Sequence, residues 1–346
     1  MSSISHGIER AREAILLQIA ERDRDFAHEA PMFPWTRALK AMAYVFSLPE
    51  EHLRSIRLHC DIFLGENTPT QLFGPALDLP TYEWLGEAIS SVFWVKEPLV
   101  PALGEALGYP VEGGALNHTS IFLQRYLCNL LRIGLSDGQH VIEIGPGYGG
   151  LAHAALIARN VRYTIIDLPE TLIFSAAFLM HHFPNKRAYV YTPGDTPQAM
   201  AGADLVFLPN YRADWIEPFD IAINTVSFPE MGREALRGYI NLLADRMRPD
   251  GFLMSVNYHG DRGDGLGVPD FLAERFDLRP TPAQLISQLD ISDADYKSIG
   301  FRPTLIGVPH GRSAAHLART HLRDTLNHRR VITEALDGGP TLRWTD

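Results

Sequence analysis

The chain has 346 residues, 46% of them hydrophobic, which is enough for one large core with a smaller one beside it. Its 31 basic and 41 acidic side chains leave a net charge of -10, and that argues against a nucleic-acid partner, because phosphate binding needs a basic surface. Two cysteines, Cys60 and Cys128, are too few for a disulfide framework or a zinc site, and no apolar run reaches membrane-spanning length, so a soluble cytoplasmic protein without a membrane or signal segment is expected.

Residues 8 to 25 carry Ile8, Ala11, Ile15, Leu16 and Ile19 at helical spacing, with Arg10, Arg12, Glu13, Glu21 and Arg22 opposite, which predicts an amphipathic helix. Further helices are predicted near 34 to 46 and 50 to 61. A segment punctuated by Pro75, Pro80, Pro98, Pro101 and Pro110 and rich in aromatics follows. Residues 1 to 112 therefore read as a mostly helical N-terminal module, expected to cap an acceptor site or to form a homodimer through the Ile8–Ile19 stripe. From 113 to 310 strand and helix patterns alternate, predicting a mainly parallel sheet covered on both faces. A helix over 119 to 133 leads into strand 140 to 144, helix 151 to 159, strand 162 to 167 and helix 169 to 183. Either 188 to 191 or 205 to 208 serves as the third strand, with Asp195 or Asn210 respectively beside the base of a bound nucleoside; the latter is preferred for its ordinary distance to the next strand. That strand is 219 to 225, followed by helix 233 to 248, a Pro249-Asp250-Gly251 turn and a fifth strand over 252 to 257. Residues 296 to 308 read as a closing antiparallel pair. A C-terminal tail, 311 to 346, is expected to carry a helix over 313 to 335.

The chemistry concentrates at Val141-Ile142-Glu143-Ile144-Gly145-Pro146-Gly147-Tyr148-Gly149-Gly150. A chain turning sharply after a strand needs residues without a Cβ where a ligand comes close, and Gly145, Gly147 and Gly149 (or Gly150) meet that need. The helix that follows offers unpaired N–H groups and a partial positive charge. Asp167 ends the next strand, where an acid can accept hydrogen bonds from both ribose hydroxyls; it could also cap the helix that begins at Pro169. The glycine spacing alone also suits a dinucleotide. Glu143 tilts the choice, because a carboxylate there can face the ammonium of a methionine moiety but would repel a pyrophosphate. S-adenosylmethionine (AdoMet), with S-adenosylhomocysteine as product, is the expected cofactor.

Glu143-Ile144-Gly145-Pro146-Gly147-Tyr148-Gly149-Gly150-Leu151 and Ile166-Asp167-Leu168-Pro169-Glu170-Thr171-Leu172 resemble the sugar O-methyltransferase family of class I AdoMet enzymes. Phe219-Asp220-Ile221-Ala222-Ile223-Asn224-Thr225-Val226-Ser227-Phe228-Pro229-Glu230-Met231 is similar to that family's block after the fourth strand, with Pro229 where many members have Gln. The likeness runs from about Asn117 to Asn257; the Arg-rich C-terminus and the loop after His259 depart from it. It implies a Rossmann-like α/β class I methyltransferase sheet, with Glu143, Gly145, Gly147, Gly149, Asp167, Leu168, Asn210 and Asn224 around the cofactor.

Methyl transfer is an in-line displacement in which positioning supplies on the order of 7–11 kcal/mol of the barrier. A sugar hydroxyl needs a base to take its proton, or a metal. Glu230 after the fourth strand and His259 after the fifth are the catalytic candidates; the alternatives are a helix cap for Glu230 and a solvent-exposed loop histidine for His259. Asn224 and Asn257 are polar groups at strand ends, fit to hydrogen-bond cofactor or acceptor or else simply to end their strands. His118 reads as a packing histidine, and His181-His182 as partners of a helix C-terminus. The spacing of Asp261, Asp264 and Asp270 with His259 fits no calcium loop, so no metal site is assigned and a metal requirement stays open. The expected function is O-methylation of a hydroxyl on a sugar or small glycosylated metabolite. The alternatives are an N- or C-methyltransferase of natural-product biosynthesis and an AdoMet-binding partner subunit without turnover.

Overall fold

The computed structural model describes residues 3–29, 31, 35–53, 56–63, 109–112, 114–116, 118–257, 267–280 and 304–312. The N-terminal part holds α1 (Ser3–Asp25), α2 (Trp35–Met42), α3 (Glu50–Leu53) and α4 (Ile56–Phe63), then a small antiparallel ribbon of β1 (Tyr109–Val111) and β2 (Gly114–Leu116). Helix α5 (His118–Ile133) leads into β3 (His140–Ile144), α6 (Gly150–Ala158), β4 (Arg162–Asp167) and α7 (Pro169–His182). Strands β5 (Ala188–Val190), β6 (Leu205–Pro209) and β7 (Phe219–Thr225) follow. Then come α8 (Arg233–Arg246), β8 (Met247–Val256), α9 (Val268–Ala273), β9 (Phe276–Pro280) and β10 (Thr304–Pro309).

Eight strands form one sheet in the order β5-β6-β4-β3-β7-β8-β10-β9. Neighbours from β5 to β8 pair in parallel, and β10 lies antiparallel between β8 and β9. From β3 the chain moves outward on one side through β4 to β6 and β5, then returns to β7 on the other side of β3. This is the Rossmann-like α/β sheet expected of a class I methyltransferase, and the reversal at β3 opens a crevice at the carboxyl ends of the strands.

The two-residue period of each strand sorts side chains onto the two faces. Val141, Tyr163, Ile165, Phe207 and Ile223 face the layer built from α1, α5, α6 and α7. Ile142, Ile144, Ile166, Val206 and Ala222 face the layer that includes α8. Both layers are apolar, so the strands read as nearly continuous hydrophobic runs.

Three expectations meet the structure here. Of the two candidates for the third strand, the preferred 205–208 sits beside β4 as β6, and 188–191 is an added outer strand, β5, paired to β6. The partner of β10 at the sheet end is Phe276–Pro280, which the sequence reading passed over; residues 281–303 and the expected helix at 313–335 lie outside the described residues. Most of the apolar stripe of α1 that suggested a homodimer packs inside the chain, while its Leu16 is 46% exposed. Ile8, Ala11 and Ile15 join the same core as α7, and a Cβ at Gly7 would stand 3.1 Å from Met180 Cε. Ile8, Ala11 and Ile15 therefore have their partners within the chain. None of the described helices is long and apolar enough to cross a membrane.

Candidate functional site

A cavity of about 470 Å³ opens at the carboxyl ends of β3, β4, β6 and β7. Ile144 and Gly145 form its floor, Asp167 and Leu168 one side, Asn210 another, and Ser227 and Glu230 a third. Tyr239 of α8 and Glu29 and Trp35 of the N-terminal segment complete the wall.

The floor follows from the glycines. Gly145, Gly147 and Gly149 have φ of 67°, 60° and 88°, a region that L side chains rarely adopt. Gly149 is the N-cap of α6, and Gly145 N donates to Ile166 O at 2.9 Å, which ties the loop to β4. A Cβ on Gly145 would fall 2.3 Å from Ser227 Oγ, so the turn after β3 and the turn after β7 touch at this point. Val226 also has positive φ, 70°, although it is β-branched. That strained conformation aims Ser227 beneath the glycine loop, where its Oγ donates to Ile144 O at 3.1 Å. Ser227 had no motif to announce it.

Asn224, expected at the cofactor, is instead the brace of this junction. It is fully buried, its Nδ2 donates to Ile144 O at 2.9 Å, and its Oδ1 accepts from Phe228 N and Asn257 Nδ2. Asn257, expected at a strand end facing ligand, therefore serves the same brace from β8.

Glu143 does not face the cavity. Strand alternation places it with Val141, on the face opposite Ile144, where it is 1% exposed and accepts a 2.7 Å hydrogen bond from Tyr163 Oη. Burial first, eased by that hydrogen bond and worsened by the charge of Asp167, pushes its carboxyl up to about 7. Glu143 therefore does not line this cavity, where the sequence had placed it against an ammonium.

Asp167 does line the cavity. Its Oδ1 accepts from Leu168 N at 2.8 Å, and the N-cap of α7 is Leu168, so Asp167 does not cap that helix. Desolvation raises its carboxyl to about 7, opposed by hydrogen bonds from Thr171 and Leu168 and aided by the charges of Glu230 and Glu170. Leu168 contributes to the wall beside it.

Asn210 stands at the end of β6, while Asp195 is turned to its own loop, accepting from Tyr189 Oη and Thr192 N. Asn210 Nδ2 donates to Glu29 O at 3.1 Å, and its Oδ1 is buried without a partner. An orphaned acceptor on a cavity wall is a place where a ligand donor is wanted. Glu230, in the turn Phe228–Glu230, is exposed at the cavity edge; the N-cap of α8 is Gly232, so Glu230 is no cap there. His259, Asp261 and Asp264 lie outside the described residues, and Asp270 is engaged with Gly267 N at 2.7 Å. Among the described residues no group of three or more His, Cys, Asp or Glu side chains could hold a metal ion. Glu29, Trp35, Ser227, Arg233 and Tyr239 are among the wall residues that sequence reasoning missed.

No family model matches the chain, and no curated protein matches it. Several solved structures are similar to it. The phosphoethanolamine N-methyltransferase 2 of Haemonchus contortus, with S-adenosylhomocysteine bound, has a TM-score of 0.34 at 13% identity, covering 56% of this chain and 57% of its own. This chain therefore spans little more than half the length of that protein. The N-methyltransferase NodS of Bradyrhizobium japonicum WM9, also with S-adenosylhomocysteine, gives 0.35 at 15% identity over 54% of this chain and 85% of its own. A precorrin-6y C5,15-methyltransferase of Geobacter metallireducens gives 0.34 at 14% identity over 46% and 74%. Likeness this remote carries nothing about substrate; strand order carries the fold, and the cavity wall carries the site.

Proposed function

We propose that the protein is an AdoMet-dependent O-methyltransferase acting on a hydroxyl of a sugar or small glycosylated metabolite. The observation that supports this best is the composition of the cavity wall. Asp167, Glu29, Glu230 and Glu234 are carboxylates that outnumber the lining guanidinium of Arg233, and the orphaned Asn210 Oδ1 is an acceptor. Such a wall suits a ligand that brings hydroxyls, an amine and a positive charge, and it would repel a pyrophosphate. AdoMet has those three features, and when bound it supplies a methyl group on a sulfonium.

The residues fit the cofactor as follows. Asp167 accepts from the ribose hydroxyls, Asn210 Oδ1 from the adenine amine, and Leu168 packs on the base. The turn from Gly145 to Gly149 brings bare backbone close to the amino-acid end above β3, with the N-terminus of α6 facing its carboxylate. Glu230, at the cavity edge, is the assigned general base for the acceptor hydroxyl, and His259 after β8 is the second candidate. The same carboxylates favour a cationic amine acceptor, so N-methylation is the second reading.

Transfer of labelled methyl from AdoMet to a panel of sugar hydroxyls and small amines, with and without a chelator, tests both readings. Labelling confined to a sugar hydroxyl supports the first, and labelling confined to amines replaces it with the second. Glu230→Gln is expected to lower kcat about 100-fold. An unchanged kcat removes Glu230 as the base.

A further inference from the structure

Two segments almost two hundred residues apart meet at the Asn210 side of the cavity. Asn210 opens the turn Asn210–Trp215, and two residues later Arg212 departs from helical geometry, with φ −116° and ψ 18°. Its guanidinium lies inside a ring of aromatic side chains, 4.7 Å from the centre of Phe26, 5.3 Å from Tyr191, 5.5 Å from Tyr211 and 5.6 Å from Trp215. One Nη2 donates to Glu21 Oε1 at 2.7 Å, and Nε donates to Tyr191 Oη at 2.9 Å. Glu21, only 7% exposed, also receives Tyr191 Oη at 2.8 Å and has Tyr211 Oη at 3.0 Å. A buried carboxylate so surrounded has its lone pairs matched, and a planar guanidinium suits stacking and forked donation at once.

The consequence reaches the cavity through a short run of backbone. Phe26, just past the end of α1, stacks on Tyr211 at 4.7 Å with planes 17° apart. Phe26 O then accepts from Glu29 N at 2.8 Å, and Glu29 O is the acceptor for Asn210 Nδ2. With Nδ2 committed to Glu29, the amide cannot flip without setting its oxygen against a carbonyl, so Oδ1 stays unpaired at the wall. On the other side of the cavity Arg22 makes a two-pronged pair with Glu170 at 2.7 and 2.8 Å, in the first turn of α7 and three residues from Asp167.

We propose that Arg212 and Glu21 are positioning residues of the cofactor site: their ion pair, seated in the aromatic ring, holds the Phe26–Glu29 turn against Asn210 so that Oδ1 selects a purine bearing a 6-amino group. The proposal rests on the AdoMet reading above. Neither residue touches the ligand; both act through Asn210. The N-terminal helix is thereby part of the cofactor site as well as of the core.

The test is calorimetric titration of the full chain and of the Arg212→Ala and Glu21→Gln variants with two ligands. One is S-adenosylhomocysteine; the other is S-inosylhomocysteine, which carries an oxygen in place of the amine. The unaltered protein is expected to prefer the adenosyl ligand by about tenfold or more, since an acceptor facing an acceptor loses a hydrogen bond and leaves both groups unpaired. Each variant is expected to bind the adenosyl ligand about tenfold more weakly while the inosyl affinity stays within twofold, so that the preference collapses. A merely structural role would weaken both ligands in proportion and keep the ratio, and that result overturns the proposal. Should Arg212→Ala fail to fold, Glu21→Gln, which keeps the volume, carries the same comparison. If the unaltered protein binds neither ligand, the cofactor reading falls and this inference with it. If it binds with the expected preference and the variants retain that preference, only the positioning role is lost.

Discussion

The cavity has two walls built by opposite means. The wall at Gly145 is local: ten consecutive residues make a strand, a turn and a helix start, and positive φ at Gly145, Gly147 and Gly149 strongly favours glycine there. The wall of Asn210 and Glu29 is tertiary: it exists because α1 is bonded to the far side of the sheet by Glu21, Arg22 and Gln18. The first wall fails when one atom is added. The second fails when a remote polar contact is removed, and then only in part. Conformational demand is concentrated in one, while the other spreads the same work over many weaker bonds.

The sharpest way to break the first wall is Gly145→Ala. The added Cβ meets Ser227 at 2.3 Å in a backbone region costly to any L residue, so binding of S-adenosylhomocysteine should fall at least 100-fold, read by calorimetry. Retained affinity would mean that the loop can relax and that the contact with Ser227 is not a constraint.

Glu143→Gln sharpens the contrast by probing a buried acid outside both walls. A carboxyl raised to about 7 in the folded state binds its proton more tightly there than in the unfolded chain. Its stabilising contribution is complete below about pH 4.5 and is lost as pH rises towards about 7. The variant, whose amide can still accept from Tyr163, should therefore be more stable than the parent at pH 8 by on the order of 2–3 kcal/mol. The difference should shrink at pH 5, and urea unfolding at the two pH values measures it. A difference that does not depend on pH would show that Glu143 does not titrate in this range.

Asp167→Ala belongs to the ligand side of the same comparison. Loss of hydrogen bonds to a charged acceptor should weaken S-adenosylhomocysteine about ten- to 100-fold. In the parent, the carboxyl near 7 must lose its proton to accept both ribose hydroxyls, so affinity should rise from pH 6 to pH 8 and the variant should lose that slope. A slope that survives the substitution would move the titration to another group. The smallest effect is expected for Val226→Gly. Relief of a φ of 70° at a β-branched residue should raise stability by about 1 kcal/mol in thermal unfolding; a clear loss would mean that the valine side chain contributes more than its strain costs.

The same contrast explains what could be read from the sequence. The strands β3, β4 and β7, the glycine loop and the position of Asp167 follow from periodicity and local conformational need, both written in adjacent residues. Glu143 was misplaced because its partner is Tyr163, twenty positions on, and only the pairing of β3 with β4 brings them together. Asn224 was misplaced because a strand-end amide looks the same whether it faces ligand or ties two turns together. Glu29 and Trp35 carry no local signal at all; they reach the cavity because α1 docks on α7. The histidines late in α7 were expected to favour a helix C-terminus as cations. Burial instead lowers His182 to about 4, and its ring lies 4.6 Å from that of Phe178, tilted by 57°.

The central claim is that the cavity at the ends of β3, β4 and β6 accepts an adenosyl sulfonium and refuses a pyrophosphate. Calorimetric titration of the full chain with AdoMet, S-adenosylhomocysteine and NAD tests it most directly. The account predicts micromolar binding of both adenosyl ligands and none of NAD. Binding of NAD without the adenosyl ligands would contradict it, and would assign the carboxylate-lined cavity to a dinucleotide after all.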